Sequence, residues 1–253
     1  YYVSTTGSNS NSGTSKTDAF ASVATAIDFA CTNDTIVLLD GTYYGDSIEV
    51  IKNLVIGSEY LLDNDTNHIA STIIDGENKG YIMRWYNGTG SWNDTTTNQL
   101  VGLTMQNGSS SSSSYGGALS VWSSTPLKIS NVRFLNNSSA TNGGAVRSHG
   151  SARVTMDQVL FKDNSANYGG ALYASTGYYI MNNVEFTGNA SNNSYAAMDL
   201  RVNSLASRNV NVHHNTALSN YVVRITFNSD ATSNFTMRDW KVQNNTSTER
   251  TMT

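Results

Sequence analysis

A chain of 253 residues could form one or two ordinary domains, but a 38% hydrophobic content suits a thin core wound around one axis better than a two-layer globule. The formal charge of −4, with no run of Lys or Arg, excludes a nucleic-acid footprint, and the single cysteine, Cys31, excludes an intrachain disulfide framework. No apolar run reaches the length of a membrane span, and with 10% aromatic but only 13% charged residues the chain reads as folded under an uncharged Ser/Thr/Asn/Gly skin.

Residues 1–46 read as an N-terminal cap. Tyr2-Val3-Ser4 opens a strand, and a Gly/Ser/Asn turn runs from Thr6 to Ser15. Phe20, Val23, Ala24, Ile27 and Ala30-Cys31 then fall on one helical face, with Thr17 or Asp18 as the N-cap, which would place Cys31 in the core. Asn33-Asp34 ends the helix, and Thr35 to Leu39 forms a strand closed by Asp40-Gly41. An amphipathic helix ahead of a repeat array serves as the lid that a terminal repeat requires.

Residues 47–253 carry two repeats in one phase. Gly116-Gly117-Ala118 recurs as Gly143-Gly144-Ala145 and Gly169-Gly170-Ala171, then as Ala196-Ala197-Met198 and Val222-Val223-Arg224, at intervals of 27, 26, 27 and 26 residues. Alongside it, Phe-x-x-Asn ends at Asn137, Asn164 and Asn189, with weaker copies ending at Asn215 and Asn245. Alternating apolar residues precede each copy (Val132 and Phe134, Val184 and Phe186), the pattern of a strand with one face inward. Asn at the strand end tolerates left-handed backbone angles and can bond to its copy one coil away, so these five asparagines form an expected ladder. Gly-Gly-Ala permits a tight corner where a Cβ would clash. Propeller blades repeat at a longer period and a sandwich needs no such corner. The fold class expected is all-β, a right-handed parallel β-helix solenoid with a short capping helix.

The opening residues, Tyr2-Val3-Ser4-x-x-Gly7-Ser8, Phe20-Ala21-Ser22-Val23, Ala26-Ile27, Asp34 to Val37 and Gly41-Thr42-Tyr43, resemble the N-terminal segment of pectate-lyase-like parallel β-helix proteins. The Gly-Gly-Ala and Phe-x-x-Asn pairs are similar to the repeats of polymorphic outer-membrane proteins. Together these resemblances imply the fold and a surface or extracellular location; they leave function open among lyases, hydrolases, adhesins and structural proteins.

Catalytic signatures do not accompany the resemblance. A lyase needs a carboxylate cluster and an Arg or Lys base on one groove, whereas Asp157, Asp163, Glu185 and Asp199 read as scattered. Trp-x-Asp-His is missing, the sole proline, Pro126, rules out Arg-x-Pro-x-x-Arg, and no Asp-Asp pair exists. Asp63-x-Asp65 reads as a solvated turn, and His149 and the His213-His214 pair have no evident catalytic partners. No catalytic residue, metal site or cofactor is expected.

On the surface, Tyr115, Tyr168, Tyr195 and Tyr221 precede the Gly-Gly-Ala register and are expected to align as a partial aromatic ladder, stacking at the corner or offering a platform for sugar rings. The run Thr95 to Thr97 does not recur, so no flat threonine array is expected. Asn64, Asn87, Asn93, Asn107 and Asn192 are loop candidates for N-glycans. The chain starts at Tyr1 rather than Met, as a processed form or fragment would, and no closing element follows the coil at Trp240 to Asn245. An uncapped end invites self-association. Three functions follow: a structural filament or surface-layer subunit stacking end to end, an adhesin or glycan-binding stalk, and a polysaccharide lyase or hydrolase.

Overall fold

A computed structural model of the chain describes residues 1–86, 98–122, 126–218, 221–227 and 235–247. The proposed glycan acceptors Asn87 and Asn93 and the run Thr95 to Thr97 lie outside the described residues. The chain winds into a parallel β-solenoid of about seven turns.

The turns build three parallel sheets, the second of which begins only at Ser109. Sheet I is built in the middle coils from ten-residue strands, Pro126–Leu135, Arg153–Lys162, Tyr178–Thr187 and Ser204–His213. In the earlier coils the same path is split in two, as Thr35–Leu38 and Gly41–Tyr44, Val55–Ser58 and Thr72–Asp75, or Asn98–Val101 and Thr104–Gln106. Sheet II runs from Ser109–Ser110 through Ser138–Asn142, Ser165–Tyr168 and Ala190–Ser194 to Thr246–Ser247. Sheet III stacks Ile48–Val50, Met83–Tyr86, Leu119–Trp122, Val146–Ser148, Leu172–Ala174, Met198–Val202 and Val223–Phe227.

The inward residues of sheet I pair with their own kind. Phe134, Phe161 and Phe186 share one register, with ring centroids 5.1 and 4.7 Å apart and planes 12° and 4° from parallel. Such offset stacks add to the area term for rings buried this completely. The ladder asparagines lie beside them. Asn137 Nδ2 donates to Asn164 Oδ1, Asn164 to Asn189, Asn189 to Asn215 and Asn215 to Asn245, at 2.9–3.0 Å. Each of these amides also donates to a backbone carbonyl, and its oxygen accepts from the backbone N–H of the ladder residue one coil before, so polar groups at the inner corner find partners within the chain.

Two sequence expectations need correction at these corners. The left-handed residue is not the ladder asparagine but the one before it: Asn136, Asp163, Gly188, His214 and Asn244, at φ 53–66°. That residue turns the chain so that the following amide points inward. A second left-handed position, Asn131, Gln158, Asn183 and Asn209, bends each ten-residue strand at its middle.

The Gly-Gly-Ala register also slips in the later coils. Backbone bonds run from Ala118 to Ala145, Ala171, Ala197 and Val222, so Tyr195-Ala196-Ala197, not Ala196-Ala197-Met198, continues the series, and Val222 takes the alanine place. The corner shortens by a residue at that turn. A Cβ on Gly144 would sit 2.1 Å from Gly170 O, the close approach that demands glycine there.

The cap differs in detail from its reading. The helix, α1, spans Val23–Phe29, and its N-cap is Ser22, whose Oγ accepts from Thr25 N at 3.0 Å. Thr17 and Asp18 belong to a separate 3₁₀ turn, Lys16–Asp18, capped by Ser15. Phe20 sits in a bridge to Val3 ahead of the helix. With only two turns, α1 buries Val23, Ala26 and Ile27, the i, i+3, i+4 set, and leaves Ala24 and Cys31 exposed. Two further short helices, α2 (Tyr60–Asp63) and α3 (Asn67–Ser71), interrupt sheet I between Val55–Ser58 and Thr72–Asp75. At the other end, Phe227, Phe235 and Val242 are exposed, although their register partners Val202, Leu205 and Val212 are core residues one coil earlier.

Candidate functional site

Sheet III alternates strictly. Leu119, Val121, Val146, Leu172, Met198 and Leu200 face the core, so the residues between them face out. Pairing aligns those outward residues in one column: Glu49, Arg84, Ser120, Arg147, Tyr173, Asp199 and Arg224. Five of these are charged in a chain with few charges, and they line up only because the coils stack.

Ion pairs close the two ends of the column. Arg84 Nε donates to Glu49 Oε2 at 2.7 Å, and Tyr81 Oη donates to Glu49 Oε1 at 2.7 Å. Burial and the Glu49 carboxylate push the Tyr81 phenol up to about 12. At the far end Asp199, fully buried, accepts two bonds from Arg224, Nε to Oδ1 at 2.7 Å and Nη2 to Oδ2 at 2.5 Å, with Arg201 3.7 Å away. The bidentate fork holds the planar guanidinium in one orientation, 4.0 Å from the Tyr195 ring centroid.

Aromatic rings flank the column. Tyr81 stacks on Tyr115 at 4.3 Å, Tyr115 lies 6.1 Å from Trp122, and Trp122 lies 4.9 Å from His149. Arg84 sits 5.7–5.8 Å from the rings of Tyr86, Tyr115 and Trp122. Arg147 lies 5.5 Å from the Tyr173 ring. Burial and the neighbouring Arg147 charge hold the His149 imidazole below its ordinary pKa.

This series replaces the predicted tyrosine ladder. Tyr115, Tyr168, Tyr195 and Tyr221 do not stack on one another. Tyr168 is level with Asn142 and Ser194, and Tyr195 takes the left-handed place that Gly143 and Gly169 fill in earlier coils, at φ 67°. The register slip therefore moves Tyr195 and Tyr221 out of line; Tyr168 Oη bonds to Asn193 and Tyr195 Oη to Arg224. Tyr81 and Trp122 carry no sequence signal because they stand at different offsets from the repeat, and His149, read from the sequence as lacking catalytic partners, has aromatic Trp122 as its neighbour instead.

The remaining sequence candidates are dispersed. Asn64 caps α2 in the left-handed region and is exposed, as is Asn192; Asn107 donates to Asp75 Oδ2 at 2.9 Å. The ladder residues Asn137, Asn164, Asn189 and Asn215 are fully buried, which removes them as glycan acceptors. Asp63 and Asp65 each accept a local backbone N–H, but Asp63 Oδ2 also meets His68 Nε2 at 3.2 Å, while His68 Nδ1 meets Asp40 Oδ1 at 2.7 Å. Both carboxylates raise the His68 pKa. Asp40, Glu59 and His68 are close enough together to hold a metal, although Lys16 pairs with Glu59 and His68 bridges two carboxylates, so the set is already charge-compensated. His213 pairs with Glu185 at 2.8 Å.

A groove of about 720 Å³ crosses the bend of sheet I, lined among others by Asp157, Asn183, Arg208, Asn209, Asp239 and Lys241. Its two acids stand at opposite ends of a column, with Asn183 and Asn209 between them bonded in series. Three strand spacings separate them by about 14 Å. That exceeds both the reach of one metal ion and the roughly 5–9.5 Å carboxyl separation of glycoside hydrolysis.

Two stretches, residues 131–148 and 158–175, match the Chlamydia polymorphic membrane protein repeat. Both span a Phe-x-x-Asn and a Gly-Gly-Ala segment of consecutive coils, and the match indicates a protein associated with a surface or outer membrane. No curated protein and no solved structure matches the chain. No helix among the described residues is long and apolar enough to cross a membrane.

Proposed function

We propose that this chain is a non-catalytic, surface-displayed solenoid that binds saccharide along the arginine and aromatic strip of sheet III. The observation that carries this reading is the continuous series Tyr81, Tyr115, Trp122 and His149, with the Arg84 guanidinium set against three rings. Ring faces stack on the apolar faces of sugars, and fixed guanidinium forks bond hydroxyl and acidic groups. The surface location indicated by the repeat suits such a role. On a panel of immobilised neutral and acidic glycans, the chain should retain at least one class. Trp122→Ala and Tyr86→Ala should each weaken that retention at least tenfold while the far-ultraviolet circular dichroism stays unchanged. Absence of retention by the wild-type chain, or retention indifferent to both substitutions, overturns the reading.

A further inference from the structure

Each arginine of the strip except one has a carboxylate. Arg84 has Glu49, and Arg201 and Arg224 share Asp199. Arg147 stands midway between these pairs, with neutral Ser120 and Tyr173 as its register neighbours. It is 8% exposed, and its Nε and Nη1 atoms are buried with no hydrogen-bond partner among the described residues. Burial lowers its pKa, and only the Tyr173 phenol acts the other way, with no carboxylate beside it. A desolvated guanidinium with unmade hydrogen bonds is costly, and a chain that keeps one on an outward face has placed a donor set where a ligand can complete it.

The surroundings are shaped for a negative ligand. Ser120, fully buried beneath the strip, accepts from Gly116 N at 3.0 Å through its Oγ and keeps its own O–H as a donor on the Arg147 side. Tyr173 supports the guanidinium on one side, and His149, two residues along the same strand end, has its Nε2 on the Ser114 carbonyl and feels the Arg147 charge. Those neighbours bring no negative charge.

We propose that Arg147, with Ser120 beside it, is the seat of an oxyanion-binding site that takes a carboxylate or sulfate group. A guanidinium presents paired N–H donors in the geometry that such groups accept. The proposal rests on the strip being the ligand-binding face and narrows its ligand to an acidic one.

The test is titration of the whole chain with sodium sulfate and, separately, sodium acetate, each against sodium chloride at matched ionic strength. Thermal unfolding and calorimetry should show a saturable, stabilising response to at least one oxyanion beyond that to chloride, and the stronger of the two identifies the group. Arg147→Met should weaken binding at least tenfold, whereas Arg208→Met, far from the strip, should leave it within about twofold. The bound anion should also raise the His149 pKa, read from its ring proton shifts, because it compensates the neighbouring Arg147 charge. Should Arg147→Met fail to fold, the His149 shift in the wild-type chain decides. A wild-type response equal to that of chloride, or an undiminished response in Arg147→Met, overturns the site. Retention of neutral glycans that survives such a result removes the anion seat alone; loss of all glycan retention with sulfate binding intact removes the broader reading instead.

Discussion

Asn189→Ala should destabilise the chain by about 3–5 kcal/mol, because it breaks a buried chain of amides and leaves polar groups that nothing else can satisfy. The Asn189 side chain donates to Phe161 O at 3.0 Å and Asn215 Oδ1 at 2.9 Å, and accepts from both Asn164 N and Asn164 Nδ2 at 3.0 Å. Truncation strands the Phe161 carbonyl and the Asn164 N–H inside the core, each costing about 1–3 kcal/mol, and opens a small void beside the phenylalanine stack. Asn189→Asp should be at least as harmful, since a carboxylate cannot donate to the Phe161 carbonyl or to Asn215. Urea unfolding followed by circular dichroism and tryptophan fluorescence measures the change. A loss below about 1 kcal/mol would mean that the ladder is incidental to stability.

The second large effect belongs to the strip. Asp199→Ala should cost about 2–4 kcal/mol, the range for removing one partner of a buried ion pair when the other partner keeps some contact with water. Asp199 is fully buried and receives both arms of Arg224, so its loss leaves that guanidinium facing Arg201 with no intervening charge. The double variant Asp199→Ala with Arg224→Ala should be less destabilised than the sum of the two single changes, because the stranded cation is removed together with its partner. Additive losses would show that the pair contributes little beyond packing. In that case Arg224 is held mainly by its Tyr195 ring contact.

The fold was largely legible. Phe-x-x-Asn and Gly-Gly-Ala hold one phase through the middle coils, and both report on local necessities: an inward amide that must find its copy, and a corner too tight for a Cβ. The misplaced details were one-residue matters. Periodicity marks the asparagine that recurs but cannot distinguish it from its left-handed neighbour, which changes identity from Asn136 to Asp163, Gly188 and His214 while conserving only a backbone angle. The slipped register after Ala171 has the same origin. Once glycine gives way to Tyr195 and Ala196, nothing in the string marks which residue turns the corner, and only the hydrogen bond from Ala171 to Ala197 does.

By itself the sequence determined the parallel solenoid, its repeat length, its inward faces and its amide ladder, because each depends on residues about 26 apart making the same short-range contact. Tertiary structure alone decided the strip on sheet III. Glu49, Arg84, Ser120, Arg147, Tyr173, Asp199 and Arg224 share no motif; five residue types fill an outward position that the core leaves unconstrained. Stacking at one strand spacing brings them into a single line, and it is in that line that Arg147 stands beside neutral neighbours while every other strip arginine has its acid.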